Sequence, residues 1–295
     1  MNCKEISAKS ALHSIPSGNY PYSWDMNIYR GCSHRCVYCF ANYTHSYLNS
    51  KNFFDDIFVK TNIAELFEKE IASLSWKTEP ICICGVSDCY QPIEETYKIM
   101  PKILGSLIKH KNPALIVTKS DLILRDIKLI EELAKLTTIN IATTITTMDE
   151  ALAKHLEPGA PTPEKRMKVL AKMKDIGCET TLLLMPILPR ITDSKENLEQ
   201  IFANAKECCI DNIYSSMLYL RGQTKENVMS FLKDFSQPIF EEYSKIFRKV
   251  YAPKQERMAV YHIIKILRKK YLHYSRSKSV TNVQTKIADF NKIHI

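Results

Sequence analysis

Cys32, Cys36 and Cys39 stand in a C-x3-C-x2-C array, three thiols within eight residues. Soft thiolate ligands select zinc, copper(I) or iron-sulfur clusters. A closed zinc site or an ordinary four-iron cluster takes four protein ligands. Three close cysteines with no obvious fourth therefore leave one coordination position open, which suits catalysis more than structure. The alternatives are a zinc knuckle completed by His34 or His45, or a set of buried thiols. The other seven cysteines, Cys3, Cys82, Cys84, Cys89, Cys178, Cys208 and Cys209, are scattered.

The elements that must position this array alternate in type. Residues 23–29 are aromatic and aliphatic and lead as a strand into the Gly31 turn. After a polar and aromatic connection over 40–59, Asn62 reads as an N-cap with Glu65 three residues on, ahead of apolar residues at helical spacing. Strands are then predicted at 81–86, 114–118, 138–146, 178–185 and 212–218, with helices at 94–109, 125–136, 163–176 and 194–209. The fourth strand is rich in β-branched residues. Thr162, Pro163 and Gly177 bracket the helix at 163–176. Six strands alternating with helices imply right-handed parallel βαβ units and an α/β fold, a partial (β/α)6 TIM-type barrel with a C-terminal helical extension. Ligands in such folds bind at the carboxyl ends of the strands. There the sequence places the cysteine loop, residues 87–94, Thr118-Lys119-Ser120, and Thr144 and Thr146.

The array, with Tyr38 before its third cysteine and His34 inside it, resembles the cluster motif of radical SAM enzymes, and Gly31 to Ala41 looks like the spore photoproduct lyase-like branch. Asp88-x-Tyr90-Gln91-Pro92-x-Glu94, Thr118-Lys119-Ser120, the run 156–166 and Met185-Pro186-Ile187-Leu188-Pro189 resemble the same branch, in its order. The resemblance covers about 19–219 and weakly 251–253. It implies that the three cysteines hold a 4Fe-4S cluster chelated by S-adenosylmethionine. The reduced cluster then cleaves S-adenosylmethionine to methionine and a 5′-deoxyadenosyl radical, which abstracts hydrogen from a substrate. It also implies an external one-electron reductant of flavodoxin or ferredoxin type. For the cofactor, Ser87 and Asp88 are expected to accept from the amino group and Lys119 to meet the carboxylate or ribose. Thr144 and Thr146 are expected at the ribose or carboxylate, and Tyr38 at the adenine. Glu157 and Arg166 flank a proline-rich turn and are expected to pair across it.

One feature of the branch is missing. The lyases use a cysteine just before the Ser-Asp pair as hydrogen donor, and alignment on Ser87-Asp88 puts Gly85 there. Cys84 is one residue off, which on a strand means the opposite face. Photoproduct repair is therefore not expected, and Cys89 and Tyr90 are the replacement donor candidates.

Composition sets the outer bounds. The chain has 295 residues, 45% of them hydrophobic, enough for a sizeable core. It lacks a membrane-length apolar run and a signal-peptide pattern at the N-terminus, which points to the cytoplasm and against a disulfide framework. Net charge is +9. Between 245 and 280 there are eleven Lys or Arg against one acid, Glu256, so the excess belongs to the tail. A basic amphipathic helix is predicted over 254–274, with Arg257, Lys265, Arg268 and Lys269 opposite its apolar face. It either follows a nucleic-acid backbone or covers the barrel with a solvated side. The expected organisation is an irregular leader over 1–22, the barrel over 23–222 and the basic extension over 223–295. The substrate is left open, a nucleic-acid lesion among the choices. The rival class is a non-enzymatic zinc- and nucleic-acid-binding protein.

Overall fold

Six strands, β1 (Trp24–Met26), β2 (Ile81–Ile83), β3 (Ala114–Val117), β4 (Ile139–Thr144), β5 (Glu179–Ile187) and β6 (Asn212–Met217), lie parallel and side by side in chain order in the computed structural model. The structure describes residues 2–15, 22–48, 50 and 52–272. The short strand His13–Ser14 adds an antiparallel edge beside β1. That edge and β6 end the sheet, so the barrel stays open.

Helices α1 (Ile63–Ile71), α2 (Ile99–His110), α3 (Ile127–Leu136), α4 (Pro163–Asp175) and α5 (Lys195–Glu207) make the crossovers. Alternation along each strand divides the two faces. Ile81, Ile83, Ile116, Ile139 and Ile141 face outward and join Met100, Ile103, Leu107, Ile130 and Leu133 in the main core. Cys82, Leu115, Val117, Asn140, Ala142 and Thr144 face inward onto a cavity. Thr162 caps α4 by accepting from Lys165 N, with Pro163 in the first turn, as the sequence predicts.

Several local expectations change. The leader is not irregular throughout: Asn2–Ile6 forms an exposed strand parallel to the buried strand Asp56–Lys60, which pairs antiparallel with Tyr29–Arg30 in a second, three-stranded sheet. An edge strand buried on neither face carries no hydrophobic alternation to read. Asn62 makes no side-chain cap. Its amide bonds the backbone of Ala8 in both directions and so ties the leader to α1. The expected helix at 94–109 breaks at Lys98, which is left-handed with φ 47°, between Glu94–Tyr97 and α2.

Three helices follow the barrel: α6 (Gly222–Phe235), α7 (Gln237–Ile246) and α8 (Lys254–Tyr271). The last is the predicted basic helix, and it lies against the barrel. Val260, Ile264 and Leu267 enter the main core, Arg268 donates to the Ile213 carbonyl, and Lys270 and Tyr271 both bond Glu199 of α5. Lys254, Lys265 and Lys269 stay exposed. No helix among the described residues is long and apolar enough to cross a membrane.

Candidate metal and cofactor site

The three array cysteines share one wall of a cavity of about 1280 Å³ that runs down the inside of the barrel. Cys32 and Cys36 are buried and Cys39 is partly so. Burial pushes the Cys36 thiol up to about 12 and raises Cys32 and Cys39 as well. Loading a metal centre must therefore displace protons from all three.

The loop that carries them is held from several sides. Gln91 accepts from Ser33 N at 3.0 Å and donates to the Gly31 carbonyl at 3.1 Å. Gly159 N donates to the His34 carbonyl and Val37 N to the Leu156 carbonyl, both at 2.9 Å. Thr224, at the start of α6, donates to the Cys39 carbonyl at 3.1 Å. Gly31 has φ +84°, and a Cβ there would lie 2.5 Å from the Asp56 carbonyl oxygen, so the turn into the array needs glycine.

Asp88 organises the rim and has no oxygen to spare. Its carboxylate accepts from Thr118 Oγ1 at 2.6 Å, Lys119 N at 2.7 Å, Tyr90 N at 2.9 Å and His34 Nε2 at 2.9 Å. Burial works to raise this carboxyl, but His34 and the Thr118 and Lys119 bonds outweigh it and hold it at about 2. Four donors fill the acceptor capacity of a carboxylate. The expected acceptor for an amino group is instead the post that fixes strand ends β2 and β3 to the cysteine loop. Ser87 donates its hydroxyl to the Tyr29 carbonyl at 2.9 Å and lines the cavity, and its oxygen keeps its capacity to accept.

Glu94 completes the 88–94 motif below the loop. It is fully buried and accepts from the Tyr29 hydroxyl, Ile99 N, Met100 N and Arg125. The motif at 88–94 is thus a scaffold whose three polar members bond the segment 29–34 or the helix behind it.

The other side of the rim is a buried ionic cluster. Arg166 pairs with Glu157 as expected, and both are at most 2% exposed. Arg166 also donates to the carbonyls of Pro161 and Thr144 at 2.8 and 2.9 Å. Tyr38 donates its hydroxyl to Glu157, and Lys119 Nζ lies 4.0 Å from Glu157 and 5.9 Å from the centre of the Tyr38 ring. Lys119, Tyr38 and Thr144 all line the cavity beside the cysteines. Arg166 is turned away into backbone carbonyls and braces this wall.

Three predicted site residues lie elsewhere. Thr146 is 2% exposed and does not line the cavity; its carbonyl accepts from Asn197, because the strand ends at Thr144 and the chain turns toward α5. Cys89 and Tyr90 are fully buried members of the main core, which takes both donor candidates off the cavity wall. In their place Cys82, Cys84 and Gly85 line it. Cys84 is left-handed, φ 66°, and although the residue borders the cavity its thiol meets Cys89 in the main core, in keeping with the opposite-face expectation. A Cβ on Gly85 would lie 3.7 Å from Cys82 Sγ, so the Cys82 thiol fills the space beside that glycine.

The donor set of three thiols on the cavity wall fits a cluster that keeps one position open. Among the described residues no three His, Cys, Asp or Glu side chains gather tightly enough for a single metal ion. His34 spends both ring nitrogens on Gly159 O and Asp88, and His45 Nε2 bonds Asp56 O. His34 thus has no ring nitrogen left to close a zinc knuckle with the three thiols, whereas His45 Nδ1 is buried without a hydrogen-bond partner. A four-iron cluster takes a ligand at each of its corners, so three thiols on an open cavity leave one corner free.

Comparison with known proteins agrees with this geometry. The family model described as the Radical SAM superfamily matches residues 26–201. An uncharacterized protein of Mycobacterium tuberculosis is 33% identical over 249 residues, covering 83% of this chain and 73% of that protein. A protein of Methanocaldococcus jannaschii is 31% identical over 191 residues, covering 64% and 69%. Among solved structures, spore photoproduct lyase complexed with dinucleoside spore photoproduct superposes with a TM-score of 0.68 at 13% identity, covering 92% of this chain and 79% of that one. The latter likeness is one of fold.

Proposed function

The chain belongs to the radical SAM superfamily, and from that premise we propose that Cys32, Cys36 and Cys39 hold a 4Fe-4S cluster whose open iron is met by S-adenosylmethionine in the adjoining cavity. When bound, these two groups supply one-electron cleavage of S-adenosylmethionine and with it a radical that removes hydrogen from the substrate. The observation that carries the reading is the single cavity wall shared by the three thiols, Tyr38, Ser87, Lys119 and Thr144.

The chain's own residues do the positioning. Ser87 accepts from the cofactor's amino group, Lys119 meets its carboxylate or ribose, Thr144 bonds the ribose or carboxylate, and the Tyr38 ring forms the adenine wall. Glu157 keeps Lys119 and Tyr38 in place, while Asp88 and Gln91 hold the cysteine loop. The electron comes from an external carrier of flavodoxin or ferredoxin type. Hydrogen return to the substrate falls to the Cys82 thiol on the cavity wall, in place of Cys89 and Tyr90. Burial pushes the Cys82 thiol up to about 12, so it stays in the S–H form that a hydrogen donor needs.

The test is anaerobic reconstitution with iron and sulfide, reduction, addition of S-adenosylmethionine and assay for 5′-deoxyadenosine. Formation by the wild type and its loss in Cys36→Ala is expected. Stoichiometric zinc without iron uptake would overturn the reading in favour of a binding protein.

A further inference from the structure

The cavity reaches down past the first residues of β5 and β6, and its lining turns charged there. Glu179, Lys206, Asp211 and Arg268 all stand on this lower rim. Arg268 is half-buried and the other three are exposed, so each can meet a ligand from solution.

The four charges are not equally committed. Asp211 pairs with Lys174 and accepts from Thr180 N at 2.9 Å and Thr180 Oγ1 at 3.0 Å, so its charge is met locally. Glu179 faces only the Asn140 amide of β4, at 3.4 Å. Among the described residues no carboxylate lies within 4.0 Å of Lys206 or Arg268. Arg268 donates from one terminal nitrogen to the Ile213 carbonyl, which pins the guanidinium at the outer edge of β6. A guanidinium has five N–H donors in a planar fork, and such a fork matches a carboxylate or a phosphate. Glu179 lies on β5, with β6 between it and that edge, so acid and guanidinium stand at least one strand spacing, about 5 Å, apart. Two cations without acid partners therefore occupy the α5 and α8 side of the rim, against one acid on the β5 side.

We infer that Arg268 anchors an anionic group of the substrate, a carboxylate or a phosphate, at the lower end of the cavity, with Lys206 adding attraction at longer range. The anion takes the N–H groups of Arg268 that Ile213 does not use. From Ile213 to Met217 at the cofactor end, four residues of β6 span about 13 Å at roughly 3.3 Å per residue. A substrate that meets Arg268 and reaches the cofactor is therefore elongated and acidic at the end away from the chemistry. Leu115, Val117 and Leu183 give its body an apolar wall on the way.

This inference rests on the radical-enzyme reading and names the substrate class for that same cavity. Its test uses the full chain, reconstituted anaerobically and saturated with S-adenosylmethionine. Binding of hexanoate, hexyl phosphate, 1-hexanol and hexylammonium is measured by saturation-transfer NMR on the wild type, Arg268→Met, Lys206→Met and Glu179→Gln. The wild type is expected to prefer one of the two anions to hexanol, and which of them it prefers separates carboxylate from phosphate. Arg268→Met should weaken that anion about tenfold, the loss of a charge-assisted hydrogen bond, and leave hexanol unchanged. Lys206→Met should weaken it about twofold, as an exposed charge acting through water does. Glu179→Gln should hold or tighten it. Melting curves check each variant, and if Arg268→Met loses its fold with the Ile213 bond, the exposed Lys206 and Glu179 substitutions decide. No preference for an anion, anion affinity unchanged in both Arg268→Met and Lys206→Met, or a preference for hexylammonium that Glu179→Gln abolishes would overturn the inference. The 5′-deoxyadenosine assay on the same wild-type sample reports separately on the radical-enzyme reading.

Discussion

At Gly159 a single methyl group decides whether the cysteine loop can close. A Cβ there would sit 2.2 Å from the Ser33 carbonyl oxygen and 3.0 Å from His34 Cα, both backbone atoms with little freedom to move. Gly159 N also donates to the His34 carbonyl, and the Gly159 carbonyl bonds the His34 ring. Gly159→Ala must therefore push the loop off the turn and weaken the hold of Asp88 on His34. The expected cost is about 2–3 kcal/mol of stability, with iron content after reconstitution well below that of the wild type. Iron binding and melting temperature equal to the wild type would show that the loop is held by its other contacts alone.

At the scale of elements, the segment before α4 acts as a brace between helix and cofactor wall. Glu157 is 1% exposed and sits among Arg166, Lys119 and Tyr38. Burial by itself would raise its carboxyl, and Arg166 and Lys119 bring it below the ordinary range. Glu157→Gln leaves the Arg166 charge buried without a counter-ion, so a loss of about 3–5 kcal/mol is expected in denaturant unfolding. Adding Arg166→Met to Glu157→Gln should recover part of that loss, because the orphaned charge goes with it. A single substitution within about 0.5 kcal/mol of wild type would show that water or a nearby group satisfies Arg166. The cap Thr162 and Pro163 were legible beforehand because they act within one turn of chain. The bond from Thr224 to the Cys39 carbonyl was not, since 185 residues separate its ends.

Over the whole molecule the charge of +9 is gathered toward the C-terminal end. Part of the basic face is already committed. Arg268 donates to Ile213, Lys270 pairs with Glu199, and Arg257 bonds Ala252 and lies over the Tyr251 ring. Lys254, Lys265 and Lys269 are left exposed on α8, and Arg276 and Lys278 lie outside the described residues. If α8 follows a phosphate backbone with those three lysines, oligonucleotide affinity should fall with salt. The log–log slope expected is about −2 to −3, from roughly 0.7–0.9 per contacted phosphate. Affinity that does not change across a salt series would leave α8 as a cover for the barrel and remove nucleic acid from its partners.

The sequence by itself determined the three-cysteine array, the succession of strands and helices, and the strand ends at which the site lies. These follow from spacing and period, which neighbouring residues set among themselves. Tertiary structure decided which thiols see the cavity: Cys82 Sγ lies beside Gly85 on its wall, whereas the Cys84 thiol meets Cys89 in the core. It also put Cys89 and Tyr90 into the core, turned Asn62 from a cap into a tie for Ala8, and filled the Asp88 carboxylate with four donors. Except for Tyr90 N, the partners that decide these tie and carboxylate roles lie 30–54 residues away. A polar side chain's role depends on which distant donor or acceptor reaches it first, and no local period encodes that.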